Sequence, residues 1–99
     1  VKKVLILVTY DVQTVSASGQ KRLRKVAKKC EEYGVRVQNS VFECVVDSTQ
    51  LRQLELSLES IIDPSVDSLR FYRLGNNYEN KVKHIGAKPS LEVEKPLIF

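Results

Sequence analysis

The apolar run Val4-Leu5-Ile6-Leu7-Val8-Thr9-Tyr10-Asp11-Val12 constrains this chain more than any other stretch. It lacks the alternation of a half-exposed strand, so it reads as a strand buried on both faces, and therefore central in a sheet. Periodicity alone does not separate it from a short buried helix; its length and its boundaries decide for a strand. It is too short to cross a bilayer. The run stops on one carboxylate, Asp11, ahead of a loop with serines and a glycine over residues 13–19 and then a strongly basic segment. A carboxylate at the end of a buried strand, facing a basic helix start, suits divalent-metal and phosphate chemistry. Many strands also end on an Asp that only caps a turn, and the run by itself leaves both readings open.

Ser16, Ser18 or Gly19 can cap a helix running to about Tyr33, with Gly34 as its terminator. Leu23, Val26, Ala27, Cys30 and Tyr33 fall at helical spacing and give one apolar stripe. Lys21, Arg22, Arg24, Lys25, Lys28 and Lys29 occupy the other face. Cations in the first turns oppose the helix dipole, and Glu31 and Glu32 near its end oppose it again. A phosphate backbone at the helix start would offset that local cost; a solvated charged face is the alternative. The formal net charge of +4 over 99 residues and a pI near 9.2 favour an anionic partner such as nucleic acid.

Residues 35–46 are rich in β-branched side chains, with a polar break at Gln38-Asn39-Ser40, and read as two short strands turning near Asn39. Asp47 then has Gln50 three residues on, the spacing of a capping box. Leu51, Leu54, Leu58, Ile61 and Ile62 repeat at helical spacing until Asp63-Pro64 ends the helix. Its outer face is mixed, as for a packing helix. Ser68-Leu69-Arg70-Phe71-Tyr72-Arg73-Leu74 forms a fourth strand, and Gly75-Asn76-Asn77 turns the chain. The order βαββαβ predicts an α+β, ferredoxin-like sandwich over residues 1–77, with two helices on one face of an antiparallel sheet and the first strand central.

Residues 78–99 are surplus to that unit. Residues 81–85 have the composition of a further short strand, and Leu91, Val93, Leu97, Ile98 and Phe99 set apolar side chains around Pro89 and Pro96. Such a tail is sticky if left free. It either folds back on its own sheet or adds a strand to a second subunit or partner. The sheet face left bare by the helices favours the second course, a homodimer with Leu97, Ile98 and Phe99 at its interface. Cys30 and Cys44 are too far apart for a CxxC motif and His84 is the only histidine. These are expected to be reduced core thiols and a surface imidazole of a cytoplasmic protein, with no zinc or thiol-redox chemistry and no membrane association.

Taken together, the Thr9-Tyr10-Asp11 strand end, the Gln38-Asn39-Ser40-Val41-Phe42-Glu43 segment and Tyr72-Arg73-Leu74-Gly75 resemble one family across essentially the whole chain. It is the CRISPR-associated protein numbered two, the smaller of the two adaptation proteins of bacterial antiviral defence. Ile85-Gly86-Ala87-Lys88-Pro89-Ser90 and Pro96-Leu97-Ile98-Phe99 look like the versions in type I-C systems.

The resemblance implies a homodimer with sheets packed face to face and Asp11 as the metal-ligand position, the two copies meeting across the twofold axis. Magnesium, or manganese in its place, would take a carboxylate from each subunit, waters and a substrate phosphate. It would polarise that phosphate and lower the pKa of an attacking water. Tyr10, Ser40 and Phe42 match positions near the family's proposed cleft; Tyr10 and Ser40 are the catalytic candidates beside Asp11, and Phe42 reads equally as interface packing. Arg22, Arg24, Lys25 and Arg36 are the phosphate-contact candidates. Two functions follow: a metal-dependent endonuclease on double-stranded DNA or single-stranded RNA, or an architectural dimer that bridges the larger CRISPR integrase and holds duplex DNA. An RNA-binding ferredoxin-like module lacks the aromatic pattern it would need on the central strands.

Overall fold

The computed structural model describes residues 2–76 and 81–86. Six elements follow in the expected order: β1 (Val4–Asp11), α1 (Ala17–Glu31), β2 (Gly34–Gln38), β3 (Val41–Val46), α2 (Ser48–Ile61) and β4 (Ser68–Gly75). They form one antiparallel sheet in the order β2-β3-β1-β4, with the apolar run central as β1. Its two neighbours fix its register: Val8 lies between Phe42 and Phe71, and Asp11 opposite Ser68.

Side chains alternate across a strand. Ile6, Val8, Tyr10 and Val12 therefore point to one face, where they meet Phe42, Cys44 and Val46 of β3, Val26 and Cys30 of α1, and Leu51, Leu54 and Leu58 of α2. This is the core. Leu5, Leu7, Thr9 and Asp11 point to the other face; Leu5 is buried there and Asp11 is exposed.

Each helix begins where its cap residue supplies an acceptor. Ser16 takes the Gly19 N–H on its Oγ (3.1 Å), and Asp47 and Gln50 close the reciprocal pair of the capping box at 2.8 and 3.0 Å. Two expectations need correction. Gly34 does not terminate α1, which ends with Glu32 as its C-cap; it opens β2 instead. A Cβ there would run into the Glu43 carbonyl oxygen and lie 2.6 Å from the Cys44 Sγ, so the hairpin closes only over glycine. Residues 81–86 form no strand. Chain continuity alone does not make a strand, which needs a paired edge. The remainder of the expected tail, including Leu97, Ile98 and Phe99, lies outside the described residues.

Phe42 also leaves the list of interface residues. It is 0% exposed within a single chain, stacked on Tyr10 with ring centroids 6.2 Å apart, and Arg36 lies over its ring at 5.3 Å. The even parity of β3 turns it toward the helices, leaving it no surface for a partner.

Candidate active site

Antiparallel pairing brings the end of β1, the β2–β3 turn and the start of β4 to the same end of the sheet. The Tyr10 N–H donates to the Ser40 carbonyl at 3.1 Å, and the Tyr10 hydroxyl donates to the Asn39 carbonyl at 3.3 Å. Asp11 and Ser40 thus lie at one sheet end. Tyr10 belongs to that end but to the opposite side: its ring is 5% exposed and faces the helices, while Asp11 faces away from them. Burial raises the Tyr10 phenol above its ordinary pKa, against the pull of nearby Arg36. A protonated phenol tied to a backbone carbonyl on the far side of the pleat is a structural strut, and the catalytic part expected of Tyr10 does not fit that position.

The cations divide. Arg24 and Lys25 stand exposed on α1 with Lys21 and Lys28, none of the four in an ion pair among the described residues. Arg36 is half-exposed, held between the Phe42 ring and, at 4.0 Å, the Glu31 carboxylate. Arg22, expected on phosphate, turns inward instead. Its Nε donates to Asp67 Oδ2 at 2.7 Å and its Nη2 to Oδ1 at 3.3 Å, a two-point grip on a side chain with 0% exposure. Its fork is committed, and the phosphate-facing set loses Arg22.

Sequence reasoning missed Asp67. Its carboxylate also accepts the Gln13 N–H (3.0 Å) and the Asp63 N–H (2.9 Å), and the Arg22 guanidinium with these amides holds it down at a pKa of about 2. The stability it confers is present above the ordinary carboxylate range and is lost as pH falls through about 2. The only sequence signal was an acid four residues after Asp63, across the Pro64-Ser65 turn.

A second missed carboxylate, Glu43, lies on the open sheet face. It is 7% exposed, and its Oε1 has no hydrogen-bond partner among the described residues. Desolvation raises its pKa, partly countered by His84. Below its ordinary range the acid is neutral in both folded and unfolded states and costs little. As pH rises the native chain must carry a desolvated charge, so the penalty grows toward neutrality. Glu43→Gln is therefore expected to raise the melting midpoint by about 3–8 °C at pH 7, with the gap closing toward pH 4 in thermal melts. An unchanged midpoint at pH 7 would place a donor on Oε1 in the assembled protein.

The two cysteines are buried, and burial pushes both thiols up to about 12; protonated and enclosed, they are inert. Among the described residues no group of three or more His, Cys, Asp or Glu side chains could hold a metal ion. A magnesium site of the substrate-completed kind needs only one or two protein carboxylates, the rest being waters and phosphate oxygens. Asp11, exposed at the sheet end, fits one such ligand. No helix of the described residues is long and apolar enough to cross a membrane.

These features define a small ferredoxin-like domain whose central strand ends on an exposed acid beside a cationic helix. The family model described as CRISPR associated protein Cas2 matches residues 4–82. The CRISPR-associated endonuclease Cas2 of Halalkalibacterium halodurans is 70% identical over 95 residues, covering 96% of this chain and 99% of that protein. The CRISPR-associated endoribonuclease Cas2 3 of Rhodospirillum rubrum is 56% identical over 95 residues, covering 96% of this chain and 100% of that protein. Among solved structures, Streptococcus pyogenes Cas2 superposes with a TM-score of 0.73 at 51% identity, covering 83% of this chain and 99% of that one. The chain belongs to the Cas2 family.

Proposed function

We propose that the chain is a magnesium-dependent endonuclease of CRISPR spacer acquisition, of the type I-C version, working as a cytoplasmic homodimer with Asp11 as its metal ligand. The observation that carries this reading is the exposed Asp11 carboxylate closing a central strand whose other side chains are mostly buried. Relatives named endonuclease and endoribonuclease support it, and their two names keep both double-stranded DNA and single-stranded RNA as substrates. The subtype rests on the resemblance of residues 85–90 and 96–99.

In this reading the Asp11 carboxylates of two copies would hold the ion, each as one oxygen donor. Magnesium, when bound, would polarise the phosphate and activate water. Lys21, Arg24, Lys25 and Lys28 hold neighbouring phosphates without reading sequence. Ser40, at the same sheet end, would hydrogen-bond the attacking water through its hydroxyl.

The exposed cations of α1 also favour a second reading, an architectural dimer that bridges two copies of the larger integrase and holds duplex DNA. Incubating the purified protein with labelled single-stranded RNA and double-stranded DNA separates the two. Cleavage that needs magnesium and stops with chelator supports the endonuclease; duplex binding without cleavage of either substrate supports the bridge.

The cationic face has its own test. The double variant Arg24→Glu, Lys25→Glu should weaken nucleic-acid binding by at least ~10-fold near physiological salt and flatten the slope of affinity against salt by about two phosphate contacts. Arg22→Gln, whose guanidinium is turned inward, should leave that slope within experimental error. A slope reduced equally by both would put Arg22 back on the phosphate surface.

A further inference from the structure

The Asp67 carboxylate is placed where a positioning group for Asp11 would have to be. Asp11 lies opposite Ser68 in the β1–β4 ladder, and Ser68 is the residue after Asp67. Gln13, two residues beyond Asp11, gives its N–H to Asp67 Oδ1. Between them, Val12 is buried among the core side chains. Asp67 therefore holds both flanks of the acid: the opposing strand through its own backbone, and the outgoing chain through its side chain.

The same carboxylate reaches α1 through Arg22 and the α2–β4 loop through the Asp63 N–H. Gly19 closes the arrangement from the helix side, since a Cβ there would run into the Gln13 carbonyl oxygen. Gln20 adds a bond from its side-chain amide to the Thr14 carbonyl at 3.3 Å. A loop between a strand and a helix is ordinarily among the least constrained parts of a domain. Here its first residues are held at Gln13 and at Thr14, two and three residues beyond the exposed acid.

We propose that Asp67 is a positioning residue for the Asp11 site: by holding the Gln13 N–H it fixes the direction in which β1 ends, and with it where the Asp11 carboxylate stands. Resting on the endonuclease reading, the inference extends it, since Asp67 touches neither metal nor substrate. Errors of about an ångström in placing a reacting group cost up to ~100-fold in rate. The loss should accordingly fall on turnover and spare the affinity for nucleic acid, which resides on the α1 cations.

The test compares the full-length wild type with Asp67→Asn and Arg22→Gln, by amide hydrogen exchange without metal or nucleic acid and by cleavage kinetics with magnesium. In the wild type, the Gln13 amide should be protected although it lies beyond the end of β1; free-loop exchange there overturns the proposal without any variant. In Asp67→Asn, Gln13 should exchange at least about 10-fold faster while the β3 amides of Phe42 and Cys44 keep their protection. Its kcat should fall roughly 10-fold to 100-fold with KM within twofold.

Arg22→Gln leaves the two amide contacts of Asp67 in place, so Gln13 should stay within about threefold of wild type. Unchanged Gln13 protection and kcat in Asp67→Asn, or equal loss of protection at Gln13 and β3, would overturn the assignment. A wild type that cleaves nothing removes the endonuclease reading instead, and the exchange measurements then decide Asp67 alone.

Discussion

Shortening Phe42 to alanine is expected to lower the melting midpoint by roughly 15–25 °C. The ring is wholly enclosed between Tyr10 and the helix layer, with Arg36 over it. Removing it loses the transfer free energy of an aromatic side chain and leaves a cavity that a sheet locked on both sides cannot collapse to fill. Together these effects are worth about 3–5 kcal/mol. Such a loss is a large share of the roughly 5–15 kcal/mol that holds a domain of this kind folded. The measurement is thermal unfolding followed by circular dichroism over a hundredfold range of protein concentration. A core role gives the same fall at every concentration. A fall confined to dilute samples would return Phe42 to a subunit interface.

On the endonuclease reading, Asp11→Asn is expected to lower magnesium-dependent cleavage by at least about 100-fold, since the charge it would bring to the ion is lost, and with it several kcal/mol of transition-state stabilisation. The side chain is exposed at the strand end, and the substitution keeps its size. The melting midpoint should therefore move little, as exposed substitutions usually stay within about 0.5 kcal/mol. The pair of readings matters more than either alone. Lost cleavage with an intact melt assigns Asp11 to the chemistry. Undiminished cleavage points to a contaminating nuclease or to a site elsewhere. Spacer acquisition that survives Asp11→Asn while cleavage disappears would move the physiological role to the bridging dimer.

The fold was legible because its strongest signals are local. The double-sided apolar run marked the central strand, the Asp47–Gln50 spacing marked the start of α2, and the polar break at residues 38–40 marked the hairpin; all three stand in the structure. Position along the chain also placed Asp11 at the sheet end. What escaped was direction. Nothing in the spacing of Arg22 and Arg24 tells which cation will turn inward, because the buried acid that recruits Arg22 arrives 45 residues later. Phe42 was misplaced for a similar reason: its side of β3 depends on pairing with β1 and not on its neighbours. The unpaired Glu43 oxygen is likewise a product of tertiary burial.

Tyr10 and Asp11 are neighbours in sequence yet stand on opposite sides of the pleat, with β1 pinned by an antiparallel partner on each edge. Slipping this strand by a single position would sink a charge into the oil and hoist a phenol into water, and both adjoining ladders would resist. Descendants of this sequence can therefore lengthen or trim β1 only by even steps, unless a bulge absorbs the odd residue. The count of residues along β1 thus sets which way the acid looks.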